Sequence, residues 1–282
     1  MEYKPRRILV GVDLSDCSSA ALRLAVDLAA KFGAELTVLH AVVPTAGPRH
    51  PLSRAVEVPA PPQRFSAIEN DLVQFVRGII GRAPMPEYRI VEGDPSEAIL
   101  FAEAYERADL IILGTRGLGG SSRLTLGSVA ERILRRASVP VLTICPHRAG
   151  EPEIGAFARI LCPVNESAVS ASALRVAVSL ARSTGGKVTV LRVIENGDDD
   201  VAAVDEQLQH WLREADPEAI DLDRVVTRGE GGKAILEYAA ANAIGLIVVG
   251  AQREKYSDWT VIGTTTEQVT RHATCAVLTV IS

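Results

Sequence analysis

The sequence predicts an α/β protein made of two tandem copies of one doubly wound domain, each a parallel sheet with helices on both faces. Short apolar runs alternate with amphipathic segments along all 282 residues, a pattern typical of parallel sheets that are covered on both sides. The first half of the sequence returns in the second half. In each half a glycine-containing loop follows an apolar run, as expected where ligands bind beyond the carboxyl ends of parallel strands.

The elements of the first half follow from hydrophobic periodicity and from helix stop signals. The run Ile8 to Val12 predicts a strand, and the alanine- and leucine-rich segment Ser18 to Phe32 predicts a helix that ends at Gly33. Six prolines between Val43 and Pro62 predict a long surface loop. Further elements are expected as strands at Leu36 to Val42, Tyr88 to Val91, Leu110 to Leu113 and Val141 to Cys145, and as helices at Gln63 to Gly81, Ser96 to Arg107 and Ser128 to Ala137.

The internal duplication is visible directly in the sequence. Arg7 to Val42 aligns without gaps with Arg159 to Ile194, at an offset of 152, and 17 of these 36 positions are identical. From Val91 onward the offset is 136, so the second copy is shorter by the difference of 16 residues between its second and third strands. We therefore expect domains at 1–147 and 157–282, joined by a linker from Pro146 to Ala156.

Composition limits the classes of function. A formal net charge of −5 disfavours nucleic acid and anionic membranes as partners, since both favour basic surfaces. No apolar run approaches the length of a membrane span and no secretory segment precedes the first strand, so we expect a cytoplasmic protein. The histidines have no metal-ligand spacing, and we expect no protein metal site. The cysteines, which form no Cys-x-x-Cys pair and are interpreted as reduced thiols, are Cys17, Cys145, Cys162 and Cys275.

The most informative motif is Gly114-Thr115-Arg116-Gly117, followed after nine residues by Gly127-Ser128. Glycines let a loop take positive φ and leave room for an anion at the amide N–H groups, and a helix N-terminus adds free donors and a partial positive charge. The motif therefore predicts a phosphate site. A purely structural alternative is that the glycines turn the chain, while Asp13 and Ser128 cap the helices that follow them.

On these residues the chain resembles the tandem universal stress proteins, whose domains are of the adenine nucleotide α-hydrolase-like class. The resemblance rests on Val10-Gly11-Val12-Asp13, on Gly93-Asp94-Pro95, on Asp109 to Gly114, and most specifically on the nucleotide signature Gly-x2-Gly-x9-Gly-[Ser/Thr]. It implies a strand order of 3-2-1-4-5 in each domain and an ATP site in the first. The site residues that it implies are Val12, Asp13, Ala41, Gly114, Arg116, Gly117, Gly127, Ser128 and Val129.

Each role implied by the resemblance is chemically reasonable. Asp13 would accept hydrogen bonds from ribose hydroxyls, Ala41 would contact adenine, and Arg116 would neutralise phosphate charge. Ser128 would offer a hydroxyl and a backbone N–H at a helix start. Mg²⁺ would accompany ATP through the phosphates and water. One departure is Ala130, where many ATP-binding members have Ser or Thr.

The second copy has altered the same motif to Gly250-Ala251-Gln252-Arg253, followed by Gly263-Thr264. Arg253 replaces the second glycine of the loop, Asn165 replaces Asp13, and Glu254 adds negative charge where phosphates would lie. We predict weak or absent ATP binding here. The opposing interpretation is that Arg253 clamps a phosphate and that the start of the next helix still binds an anion, as for AMP or another adenylyl ligand.

Three functions remain open from the sequence. The first is a regulatory module in which ATP in the first copy shifts affinity for an unidentified partner protein. The second is slow ATP hydrolysis or autophosphorylation, with acceptors among Ser121, Ser122, Thr125 and Ser128. The third is a structural adaptor in which Val141 to Cys145 pairs antiparallel with Val277 to Ile281 within one chain and hides two sheet edges. The resemblance also makes a homodimer of the whole chain plausible.

Overall fold

A computed structural model describes residues 3–43, 62–115, 126–144, 154–165, 167–195, 200–214, 222–256 and 259–281. In the first repeat the strands are β1 (Arg7–Val12), β2 (Glu35–Val42), β3 (Glu87–Glu92), β4 (Leu110–Gly114) and β5 (Val141–Ile144). The helices between them are α1 (Asp16–Phe32), α2 (Pro62–Ile80), α3 (Pro95–Glu106) and α4 (Ser128–Arg136). A 3-10 turn, Ile154–Ala158, leads into the second repeat, so the predicted linker ends in a helical turn.

The second repeat follows the same plan with one addition. Its strands are β6 (Arg159–Pro163), β7 (Lys187–Ile194), β8 (Leu222–Arg228), β9 (Leu246–Ala251) and β12 (Ala276–Ile281), and its helices are α5 (Ala168–Thr184), α6 (Val201–Glu214), α7 (Gly231–Ala241) and α8 (Thr264–His272). The addition is an antiparallel hairpin of β10 (Arg253–Tyr256) and β11 (Trp259–Ile262). It lies where the first repeat has its glycine-rich loop, and it was not predicted from the sequence.

The two repeats share one sheet. Across the described residues the order is β3-β2-β1-β4-β5-β12-β9-β6-β7-β8, which is 3-2-1-4-5 in each repeat and confirms the predicted fold class. All neighbours are parallel except β5 and β12, which pair antiparallel with Leu142 opposite Leu278. The predicted pairing of the last strands within one chain is therefore confirmed. Because the strands of one repeat run antiparallel to those of the other, the carboxyl ends of the first repeat's strands lie on the same side of the sheet as the amino ends of the second repeat's strands.

The core consists of layers on both faces of the sheet. On one face, a single cluster of buried side chains joins α1 and α2 to α5 and α6, with Leu28, Phe32 and Leu180 among its members. On the other face, α3 and α4 cover one cluster and α7 and α8 cover another. Burial of aliphatic side chains at this density is the main source of stability in such a fold.

The N-terminal segment ties the repeats together. The Ser179 hydroxyl of α5 donates to the carbonyl oxygen of Tyr3 at 2.8 Å, and the backbone N–H groups of Arg6 and Arg7 donate to the Asp109 carboxylate before β4. Burial raises the pKa of the Tyr3 hydroxyl above its usual value. The segment therefore contacts both repeats before the first strand begins. No helix among the described residues is long and apolar enough to cross a bilayer.

Candidate functional site

The corner after β1 is built around Asp13. Its Oδ1 accepts hydrogen bonds from the backbone N–H of Ser15, at 3.2 Å, and from the Ser15 hydroxyl, at 2.5 Å. Leu14 between them has φ of 64°, a left-handed conformation that is uncommon away from glycine. The Ser15 oxygen in turn accepts from the N–H of Ser18 and is the N-cap of α1. The alternative that Asp13 caps this helix is therefore wrong, because Ser15 does so and Asp13 holds Ser15.

Gly114 at the end of β4 has a packing role. A methyl group on this residue would lie 2.8 Å from the carbonyl carbon of Cys17 and 2.9 Å from its Cβ, well inside van der Waals contact. Glycine therefore lets the first turn of α1 approach the end of β4. This close approach brings the corner at Asp13 next to the loop that leaves β4, since β1 and β4 are adjacent, with Gly11 opposite Leu113.

The two ends of the glycine-rich loop are fastened to each other. The N–H of Thr115 donates to the carbonyl of Ile144 at 2.8 Å, and the N–H of Gly127 donates to the carbonyl of Thr115 at 2.7 Å. The loop between them begins and ends at one point beyond the sheet. Arg116 and Gly117, which are predicted from the sequence to bind phosphate, lie outside the described residues. Sequence reasoning missed the Thr115 to Gly127 bond, because nothing in the motif specifies backbone pairing.

Helix α4 begins at this point without a side-chain cap. Its N-cap is Gly127, with φ of −65° and ψ of 149°, and Ser128 is the first helical residue. The alternative that Ser128 caps α4 is therefore wrong. In contrast, α1 and α3 are capped by the side chains of Ser15 and Asp94. The first N–H groups of α4, including those of Ser128 and Val129, are thus not occupied by a cap and are suited to an anion.

The end of β2 completes this edge of the site. In the sheet register Val12 lies opposite His40, and Nδ1 of His40 is 2.9 Å from the carbonyl oxygen of Val12. A carbonyl only accepts, so this contact requires the hydrogen on Nδ1. Ala41, the next residue, packs against the cluster under α3 and α4. The structure thus brings Val12, Asp13 and Ala41 to the same end of the sheet as Gly114 and the start of α4.

The second repeat has an open cleft of about 510 Å³ at the corresponding position. Asn165 stands where the first repeat has Asp13. Its Oδ1 accepts from the N–H and the hydroxyl of Ser167, at 3.3 and 2.5 Å, and from the hydroxyl of Ser170, at 2.6 Å. With this oxygen occupied, Asn165 has its amide hydrogens to offer a ligand. This corner therefore offers a ligand hydrogen-bond donors, whereas a carboxylate offers acceptors.

The remaining walls of the cleft repeat the packing of the first repeat but not its loop. A methyl group on Gly250 would lie 2.8 Å from the carbonyl oxygen of Val169, the counterpart of the Gly114 contact. Helix α8 again has a glycine N-cap, Gly263, without a side-chain cap. The N–H of Gly263 donates to the carbonyl of Gln252 at 3.3 Å. The β10–β11 hairpin lies between these two residues, so backbone pairing has replaced the glycine-rich loop.

One feature of the cleft could have been found in the sequence. A Gly-Gly pair opens α7, and Cβ atoms on Gly231 and Gly232 would meet the ends of the Glu195 and Gln268 side chains, which would have to shift. Adjacent glycines at a predicted helix start indicate such crowding. Within the described ranges, no group of three or more His, Cys, Asp or Glu side chains is arranged to hold a metal ion.

The sequence and the fold are similar to those of known proteins. The sequence matches the Universal stress protein family over residues 4–144 and again over 156–280, and the chain belongs to this family. A universal stress protein of Thermus aquaticus is 34% identical over 139 residues, which are 49% of this chain and 98% of that protein. One from Mycolicibacterium smegmatis is 27% identical over 289 residues, covering 97% of this chain and 96% of its own length.

A solved structure supports the tandem architecture. The crystal structure of a universal stress protein from Archaeoglobus fulgidus DSM 4304 matches with a TM-score of 0.70 and 22% identity, over 98% of both chains. At this identity the similarity concerns the fold. The two repeats of the present chain are thus two universal stress protein domains in one polypeptide.

Proposed function

We propose that the first repeat binds ATP at the carboxyl ends of β1, β2 and β4, and that the chain acts as a nucleotide-responsive regulatory protein in stress responses. The observation that carries this proposal is the uncapped start of α4 at Gly127, beside the Asp13 corner. Helices α1 and α3 receive side-chain caps, whereas α4 leaves its first N–H groups for a ligand. An anion at this position gains hydrogen bonds and a favourable helix dipole.

The other groups have complementary roles in this proposal. The Asp13 carboxylate accepts from ribose hydroxyls, and Val12 and Ala41 provide apolar contacts for the base. Arg116 neutralises phosphate charge, and Gly117 leaves space for the phosphates. Gly127, Ser128 and Val129 supply backbone donors, and Mg²⁺ is held through the phosphates and water.

For the second repeat we propose that the cleft does not bind ATP in the same way. Asn165 stands in place of the Asp13 carboxylate, and its oxygen already accepts hydrogen bonds from neighbouring serines. The β10–β11 hairpin stands in place of the glycine-rich loop. An ATP stoichiometry of one per chain is therefore expected. We further propose domain limits at 1–147 and 157–282, a cytoplasmic location, and association with a partner protein or with a second copy of the chain.

The proposal is tested by isothermal titration with ATP and Mg²⁺, together with mass spectrometry of any nucleotide that copurifies. Asp13→Asn keeps an oxygen for Ser15 but removes the charged acceptor, and should weaken binding about 10-fold or more, since hydrogen bonds to charged groups contribute about 1.5–3 kcal/mol. Asp16→Asn is the matched control, because Asp16 is exposed on the first turn of α1 outside the site. Gly117→Arg, which imitates the second repeat, should abolish binding.

Three results would contradict the proposal. Two ATP molecules per chain would show that the hairpin is compatible with binding. No ATP in the wild-type protein would favour the structural adaptor. Equal losses in Asp13→Asn and Asp16→Asn would point to a general charge effect and not to a contact with the ribose.

A further inference from the structure

The last helices of the two repeats are joined by four charged side chains. Glu131 and Arg135 form an i,i+4 pair on α4 at 2.8 Å, and Glu267 and Arg271 form the equivalent pair on α8 at 2.6 Å. Arg135 also lies 4.0 Å from Glu267, so the two pairs are connected across the repeats. The offset of 136 relates each residue to its counterpart. All four side chains are about two-thirds buried, with exposed fractions between 27% and 35%, so solvent screens them less than an ordinary surface pair.

The hairpin of the second repeat packs on the same helix of the first. Strand β11 lies against α4. Two residues of the second repeat contribute to the apolar cluster of the first: Ala251, before the hairpin, belongs to it together with Ile133 and Leu134 of α4, and Ile281 in β12 packs against it. The segment that replaces the glycine-rich loop therefore has its neighbours in the other repeat. Its position is fixed in part by α4.

Helix α4 connects this contact to the proposed ATP site. It is nine residues long, begins after its N-cap Gly127 beside the loop closure with Thr115, and runs back along the sheet toward β5. Because the repeats are antiparallel, the carboxyl end of β9, where the hairpin starts, lies toward the far end of α4. Helix α8 makes the reciprocal connection from Gly263 toward the first repeat.

We propose that the two clefts are energetically coupled, so that ATP bound in the first repeat restrains the β10–β11 hairpin of the second repeat through α4 and α8. The inference rests on the proposed function, since it requires ATP at the start of α4. A phosphate that binds the first N–H groups fixes one end of the helix. A short rigid helix transmits this restraint to its other contacts, and the charged network extends it to α8. Restraint of this kind couples sites even without a large change in structure.

Hydrogen exchange measured by mass spectrometry tests the coupling in the full-length chain, with and without ATP and Mg²⁺. We expect exchange to slow at least twofold in peptides covering 110–130 and also in peptides covering 251–263. Protection of 110–130 alone overturns the coupling and leaves the proposed function standing. Protection of neither region shows that ATP does not bind, and overturns both. Protection of 251–263 alone contradicts the assignment of ATP to the first repeat, and with it the direction of the coupling.

A double variant isolates the network. Arg135→Gln with Glu267→Gln removes the link between the helices while keeping side chains of similar size. We expect ATP to protect 110–130 as in the wild-type chain, while its effect on 251–263 falls by at least half. Glu237→Gln is the matched control, because Glu237 forms an exposed i,i+4 contact with Lys233 on α7, away from the network. Full protection of the hairpin in the double variant overturns the role of the network.

Discussion

The substitution Gly114→Ala tests the close approach of α1 to β4, on which the geometry of the site depends. The added methyl group would lie 2.8–2.9 Å from three atoms of Cys17, two of them in the backbone. Carbon atoms normally rest about 3.5–4.0 Å apart, so α1 must move by roughly half an ångström or more. Overpacking of this kind costs about 1–3 kcal/mol. Because the contact is with backbone, a change of rotamer does not relieve it.

Urea unfolding followed by circular dichroism measures this cost. With a slope of about 3 kcal/mol/M, the expected loss lowers the midpoint by about 0.3–1 M. Gly250→Ala should behave similarly, since its methyl group meets the backbone of Val169. Gly78→Ala is a control that should raise the midpoint. Gly78 lies within α2, and a Cβ atom added there would have no atom within 4 Å. Alanine should therefore increase the free energy of unfolding by about 0.5–1 kcal/mol.

Two patterns of results would contradict this close contact. If Gly78→Ala raises the midpoint as expected but Gly114→Ala leaves it unchanged, then α1 does not approach β4 as closely in solution as described. If both variants lower the midpoint equally, the loss has a cause other than the contact with Cys17.

Three further predictions concern stability. Thr279→Val should raise the free energy of unfolding by up to about 1 kcal/mol, as measured by thermal unfolding. The reason is that the hydroxyl of Thr279 is buried without a hydrogen-bond partner in the described structure. Thr143→Val is the control and should not stabilise the protein, because it removes a hydrogen bond to the carbonyl of Val277. Ser15→Ala and Ser167→Ala should each lower the free energy of unfolding in urea by about 1 kcal/mol, since each side chain caps a helix. Ser172→Ala, on the exposed side of α5, should lower it by less. Burial raises the pKa of the Cys162 thiol from 9.0 to about 12. Between these two pH values the thiol is deprotonated in the unfolded chain and protonated in the folded chain. The free energy of unfolding should therefore fall as pH rises through this range. The unfolding midpoint should be lower at pH 10 than at pH 8. A Cys162→Ala variant whose midpoint falls by the same amount would exclude Cys162 as the source of the fall.

Most of the fold was predictable because the sequence repeats itself. Apolar runs such as Leu110 to Leu113 are too short for helices and recur at fixed offsets, so both copies supported one interpretation. The predicted elements therefore agree with the structure to within one or two residues at most ends. The strand order and the pairing of β5 with β12 both came from the family resemblance, and the pairing also hides two sheet edges.

The hairpin was not predictable in the same way. Arg253 to Ile262 has two bulky aromatic residues and several charges, and its strands are four residues long. β10 is mostly charged, and strands of only four residues are hard to tell from a loop in sequence. The contact of β11 with α4, which is distant along the chain, is not visible in the sequence either. The cap of α1 was also misassigned, since Asp13 and Ser15 are both good cap residues and only the folded backbone, in which the Ser15 hydroxyl oxygen accepts from the N–H of Ser18, decides between them.

The antiparallel junction of β5 and β12 has an evolutionary consequence. In a dimer of identical chains, a substitution near the symmetry axis appears twice, and any change that suits one partner is imposed on the other. Here the two halves of the junction are encoded separately in one chain. The second copy could therefore exchange its glycine-rich loop for a hairpin while the first copy kept its loop, which turns a symmetric scaffold into one with two different ends.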